Sequence, residues 1–284
     1  MTALSRPTPV PSSLQYRLAQ AVDIIREVGR AQPALVAFAS VLLVATVPAF
    51  FALGLDERTL RGANVWAKPI KFMLSVAVFA LTTVWFVHLL PEARRRAAPV
   101  RVAVWMLIGL GGAEIAYITL QAGLGQASHY NASSVLHATL YRLMGAGAVL
   151  LTATQLVIGW QLWRHGRADL PRLLVRGSAL GALLTFVLGV GAGGLLGALQ
   201  PPDGWGLPVV GWHLTGGDLR PAHFVGMHAA QALPLAAWLA VRSRTPRGGA
   251  VFGLAVLGFV ALWAIAMAIG LQGVTAASFG PRAP

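Results

Sequence analysis

The chain has 284 residues, 56% of them hydrophobic and only 11% charged, with a mean hydropathy of +0.68. Soluble domains carry roughly 25% charged residues, so this composition excludes a water-covered globule and points to a membrane protein. The net charge of +13 comes from 22 Lys+Arg against 9 Asp+Glu. These cations stand in short tufts between apolar runs rather than in one patch, as in the loops of a bilayer protein, and nucleic acid is not an expected partner.

Residues 1–32 read as a cytoplasmic N-terminal segment, and they lack the short apolar core and small-residue cleavage site of a removable signal peptide. Within them Leu14, Leu18, Ala21, Ile25 and Val28 share one helical face, with Arg17, Arg26, Glu27 and Arg30 around the rest. That pattern predicts a helix lying on the inner membrane surface, its cations facing anionic lipid.

A membrane helix needs roughly 20 apolar residues to cross a hydrocarbon core about 30 Å thick. Seven stretches within residues 33–270 qualify: about Pro33–Leu55, Pro69–Leu90, Val100–Ala122, Ser134–Trp163, Leu173–Leu199, Pro221–Val241 and Ala250–Gly270. The runs are apolar all round, unlike the alternating strands of a barrel, so the expected fold is all-α and polytopic. A short tail, residues 271–284, follows.

Lys and Arg set the orientation. Arg94, Arg95, Arg96, Arg101, Arg164, Arg167, Arg172, Arg176, Arg242, Arg244 and Arg247 fall on the same side as the N-terminal arginines Arg6, Arg17, Arg26 and Arg30. The opposite side holds Arg58, Arg61, Lys68, Lys71, Arg220 and Arg282. The bias puts the N-terminus in the cytoplasm and, with an odd number of spans, the C-terminus outside, in a bacterial inner membrane. In span five Gly177, Gly181, Gly189, Gly193 and Gly197 recur every four residues or multiples of four, a groove for close approach of another helix. Packing within the chain competes there with a homodimer seam.

Polar residues are expensive in a bilayer, so their distribution is informative. Glu114, Arg142 and His228 each lie about 10–12 Å inward from the outer ends of spans three, four and six. They predict an outward-facing polar pocket, with Tyr117 and Gln121 on the face of Glu114 and Gln231 on that of His228. Glu114 and Arg142 should pair or both face a wet cavity. Around them His129, His137, His213, Asp218, Arg220 and His223 form a rim, and Lys68 and Lys71 open span two on the same side. The inner halves offer little beyond Thr82, Thr83, Thr152, Thr154 and Gln155.

Several chemistries compete. His223 and His228 lie about 140° apart around a helix and cannot chelate as a simple pair. A copper or zinc site built across elements from His129, His137, His213, Asp218 and His223 remains open. His137 and His223 at similar depth would admit a single b-type haem, which ranks below the metal ion because the inner side has no helical His for a second one. Ser128 beside His129 lacks a nucleophile elbow. A pump would need titratable groups through both membrane halves.

The strings Trp66-Ala67-Lys68-Pro69-Ile70-Lys71-Phe72, Ser128-His129-Tyr130-Asn131 and Gly217-Asp218-Leu219-Arg220-Pro221-Ala222-His223-Phe224 resemble those of uncharacterised bacterial multi-pass membrane proteins. The resemblance covers most of the chain and implies no activity. The expectation is therefore a protein that binds a small ligand, lipid headgroup or metal from the outer side. An intramembrane enzyme with His228 or Glu114 as acid–base and Arg142 steadying an anion is the first alternative. A structural or assembly subunit is the second.

Overall fold

A computed structural model describes residues 13–208 and 210–279, with side chains from residue 22 onward within that range. The described residues form ten α-helices: α1 (Ser13–Arg30), α2 (Pro33–Leu55), α3 (Ala67–His88), α4 (Glu92–Arg95), α5 (Ala98–Gly123), α6 (Val135–His165), α7 (Arg172–Ala198), α8 (Arg220–Met227), α9 (Ala229–Arg242) and α10 (Gly248–Gly270). A two-stranded hairpin, β1 (Thr59–Leu60) with β2 (Ala63–Asn64), joins α2 to α3. Its turn residues Arg61 and Gly62 both have positive φ, as a two-residue turn matched to strand twist requires. Six helices are long and apolar enough to cross a bilayer, and the bent pair α8–α9 makes a seventh if counted as one span. The chain is a multi-pass helical membrane protein.

Local chemistry sets the helix starts. Pro33, Pro99 and Pro221 stand in first turns, where a missing N–H costs nothing. Ser134 caps α6 by accepting the His137 N–H at 3.2 Å. Helix α1 forms as expected; Val28 packs on the core while Ile25 is exposed. The side chains of Leu14, Arg17, Leu18 and Ala21, together with Arg6 and Arg282, lie outside the described residues.

Helix α3 is the centre of the bundle, with 56% of its span buried against 6% for α10 at the edge. Its Met73, Ala77, Ala80, Val84 and Phe86 pack in one core with Leu35, Ala39, Leu107 and Ile158. The connections fall into two sets. At one end the Arg167 N–H donates to the Leu89 carbonyl, joining the arginine-rich turns after α3 and α6. At the other, Arg61 pairs with Asp203, and the Gly217 N–H donates to the Gly270 carbonyl.

One expected span is not straight. Helices α8 and α9 bend by 48° at His228. Gly226 approaches α7 so closely that a Cβ there would sit 2.7 Å from the Gly189 nitrogen, and Pro234 removes an N–H from the first turns of α9. Thr185 of α7 occupies the break: its hydroxyl accepts the Ala230 N–H at 2.8 Å and donates to the Met227 carbonyl at 3.5 Å. Backbone groups freed by the bend are thereby satisfied away from water.

The glycine groove of α7 holds this bent pair. A Cβ at Gly177 would lie 2.6 Å from Ala237 Cβ, at Gly181 2.8 Å from the Ala229 carbonyl, and at Gly193 2.9 Å from His223 Nδ1. At Gly189 it would meet Met227 Sδ at 2.7 Å. Gly197 stands apart, 3.9 Å by the same measure from the Tyr141 hydroxyl of α6.

Candidate functional site

The arginine-poor end is closed by two knots built on one pattern, Asp-x-Arg. In the first, Asp218 Oδ1 accepts the Arg220 N–H at 3.0 Å, Oδ2 accepts the His213 N–H at 2.8 Å, and the Arg220 guanidinium grips both oxygens. Asp218 stands one residue before the α8 N-cap, Leu219, and still serves the first N–H of that helix. It is 1% exposed. Burial raises its pKa, but the Arg220 hydrogen bond and the two backbone N–H groups outweigh that and hold the carboxyl below its usual range.

In the second knot Asp56 receives the Arg58 N–H at 3.1 Å, the Arg58 guanidinium, and Trp66 Nε1 at 2.8 Å. The Arg58 hydrogen bond first, then that of Trp66, depresses the Asp56 pKa. Asn64 completes it by donating to the Asp56 carbonyl and accepting the Trp66 N–H. Arg58 also donates to the Gly123 carbonyl, a cation at the negative end of α5.

Between the knots lies a different kind of cluster. Lys68 in the first turn of α3 is the cation whose charge acts on both Glu114 of α5 and His129 of the α5–α6 connection. The His129 ring packs on Phe72 and Tyr141, with centroids at 5.8 and 5.6 Å. Its neighbour Tyr130 adopts φ +55°, a conformation uncommon for a side chain of this size. Tyr130 is held there by a hydrogen bond to the Leu196 carbonyl and by packing on Tyr141, 5.2 Å between centroids. These contacts turn His129 inward. Burial first, and the Lys68 charge second, keep its imidazole well below the ordinary histidine pKa, so it is neutral at pH 7.

The polar capacity of this cluster is largely unspent. Among the described residues Lys68 and Glu114 make no hydrogen bond and no ion pair within 4.0 Å, and Lys68 only overlies the Phe72 ring at 5.6 Å. His129 Nδ1 meets Ser128 Oγ at 3.3 Å, and Nε2 has no partner among the described residues. Two turns beyond Glu114, Gln121 donates to the Tyr117 hydroxyl at 2.9 Å. An ammonium, a carboxyl and a neutral imidazole on three elements can hold a polar group, or pass a proton to one.

Other expected members go elsewhere. Arg142 is exposed on α6 and does not pair with Glu114. The physical reason is the helix face: Arg142 is exposed, on a side of α6 turned away from its neighbours, while Glu114 is half-buried on α5. Lys71 donates to the Val210 carbonyl at 3.3 Å and overlies Trp205 at 5.0 Å. His228 Nδ1 meets Gln231 Oε1 at 3.1 Å, and Gln231 donates to Thr82 at 2.8 Å, a separate polar link at the α8–α9 break. No hydrogen bond joins it to Glu114.

The other rim histidines each make a separate contact through one ring nitrogen and do not converge. His137 Nδ1 contacts Ser134 Oγ at 2.9 Å, His213 Nε2 meets the Gly204 carbonyl at 3.4 Å, and His223 Nδ1 meets the Gly189 carbonyl at 2.9 Å. Among the described residues no three His, Asp or Glu side chains group as metal ligands.

Sequence reasoning missed the Asp56 knot, although Asp56-Glu57-Arg58 repeats the spacing of Asp218-Leu219-Arg220. Thr185 fills the gap in the glycine series of α7, but its bonding role was not visible because its partners belong to a distant helix. No family model, no curated protein and no solved structure matches the chain.

Proposed function

We propose that the protein has seven spans, with its N-terminus in the cytoplasm and its C-terminus outside, in a bacterial inner membrane. It binds a small polar ligand or lipid headgroup from the outer side at Lys68, Glu114 and His129. Tyr117 and Gln121 extend that surface. The observation that carries this reading is unspent polar capacity. Glu114 and Lys68 lack protein partners among the described residues, whereas Asp56 and Asp218 at the same end are saturated. Ionisable groups left without partners at membrane depth are costly unless something else satisfies them.

The test is thermal unfolding of the protein in nanodiscs with phosphoethanolamine, a zwitterionic headgroup whose phosphate suits Lys68 and whose ammonium suits Glu114. Protection is expected in the unaltered protein and should be lost in Lys68→Gln and Glu114→Gln with the fold retained. Equal protection of both variants would defeat the reading. An acid–base enzyme at the same place is the second reading, favoured by a neutral imidazole beside an ammonium. Under it, His129→Gln abolishes turnover while ligand protection persists.

A further inference from the structure

The arginine-rich end carries a feature independent of the outer site. Where the α1–α2 turn meets α4 and the start of α5, a cavity of about 330 Å³ is lined by Arg30, Gln32, Arg95, Arg96, Arg101 and Trp105. Four arginines contribute to the lining of this opening, and their positive charge favours an anion there. Carboxylates of the chain supply little: Glu92 reaches Arg96 at 3.4 Å, with both side chains largely exposed. Arg30 and Arg101 make no side-chain hydrogen bond or ion pair among the described residues. Arg95 donates to the His88 and Leu90 carbonyls, both at 2.9 Å, which fixes the wall of the cavity. Ala34, in the uncapped first turn of α2, also lines it and adds the positive end of a helix dipole.

A second observation selects the kind of anion. The cavity shares Arg101 and Trp105 with a shallow groove of about 550 Å³ that continues past Val102 and Met106 along α5. Val102 is 58% and Trp105 64% exposed, on a helix apolar enough to span a membrane. A soluble phosphate has no use for an apolar groove beside its cations. A lipid does, and an indole within about 6 Å of Arg101 along the helix sits where headgroups give way to acyl chains.

We propose that cavity and groove together bind an anionic phospholipid. Its phosphate lies among Arg30, Arg96 and Arg101, and one acyl chain runs past Val102, Trp105 and Met106.

The test takes the full-length protein in non-ionic detergent and titrates phosphatidylglycerol, phosphatidylcholine or inorganic phosphate, with thermal unfolding as the readout. Phosphatidylglycerol should protect saturably, and R30Q/R101Q should weaken its apparent affinity by about thirtyfold, the effect of two basic residues at an anionic surface. R244Q/R247Q, in the α9–α10 turn, should leave that affinity within about twofold. Equal protection by inorganic phosphate would make this a free-anion site and overturn the proposal. Equal protection by phosphatidylcholine, or an equal loss in R244Q/R247Q, would overturn it too. A measurement without variants stands behind these: phosphatidylglycerol with a photoreactive headgroup should label residues 30–34 or 95–105 of the unaltered chain. Labelling spread evenly over the arginine-rich turns would refute a built site.

Discussion

The Asp218 knot and the Lys68 cluster share one end of the molecule and treat charge in opposite ways. Asp218 is buried and takes hydrogen bonds from two backbone N–H groups and a guanidinium. Glu114, partly buried, takes none among the described residues, and its influential cation stays out of contact. The first arrangement closes a loop and starts a helix, so its charges are consumed by the fold. The second leaves donors and an acceptor available, which folding alone does not reward.

The largest effect should therefore come from the knot. Asp218→Ala strands the Arg220 guanidinium and the His213 N–H, and about 3 kcal/mol of stability should be lost in denaturant unfolding. Glu114→Gln should stay within about 1 kcal/mol of the unaltered protein, because no made interaction is removed. A Glu114 variant as damaged as the Asp218 variant would erase the contrast. Next comes the α7–α8 contact beside the knot: Gly226→Val drives side-chain atoms into the Gly189 backbone and should cost about 1–3 kcal/mol. Gly258→Ala on α10, where a Cβ meets nothing within 4 Å, should be neutral or slightly stabilising.

Acid separates the two regions by pH. His129 has a folded pKa below its unfolded value, so its contribution is full above about pH 6.5 and is lost as pH falls below that. Asp218 is depressed in the same sense, and its contribution disappears only as pH drops below about 4. Unfolding temperatures between pH 3 and 8 should show two steps, with His129→Gln removing the upper and Asp218→Asn diminishing the lower, to which Asp56 also contributes. A single step unaffected by His129→Gln would mean that the imidazole is solvated. The smallest effect is expected from Arg142→Gln, within about 0.5 kcal/mol for an exposed residue without a protein partner.

The apolar runs were readable because all-round hydrophobicity over some 20 residues has few other uses. Thus α2, α5 and α10 begin and end within a few residues of where the sequence places them. The bend at His228 was not readable, since it depends on Gly189 and Thr185 from another helix meeting Gly226 and Ala230. Of the expected pocket, Glu114, Lys68, Tyr117 and Gln121 stand close in the fold or on one helix face. Arg142 does not join Glu114 because it stands on the exposed face of α6, and an all-round apolar run does not reveal which face turns inward. The rim histidines form one set in sequence; His137, His213 and His223 instead meet three separate partners, the last on α7.

The 31 residues of α6 have one more consequence. A rod that outreaches its host film must tilt, or project from it, and neighbours of 22 to 27 residues limit how far it leans. The length of α6 thus makes the protein responsive to lipid thickness. A thin sheet of lipid would leave Arg142 fully hydrated, and a thick one would draw it toward the acyl chains, so the composition of the surrounding membrane sets the surroundings of this arginine.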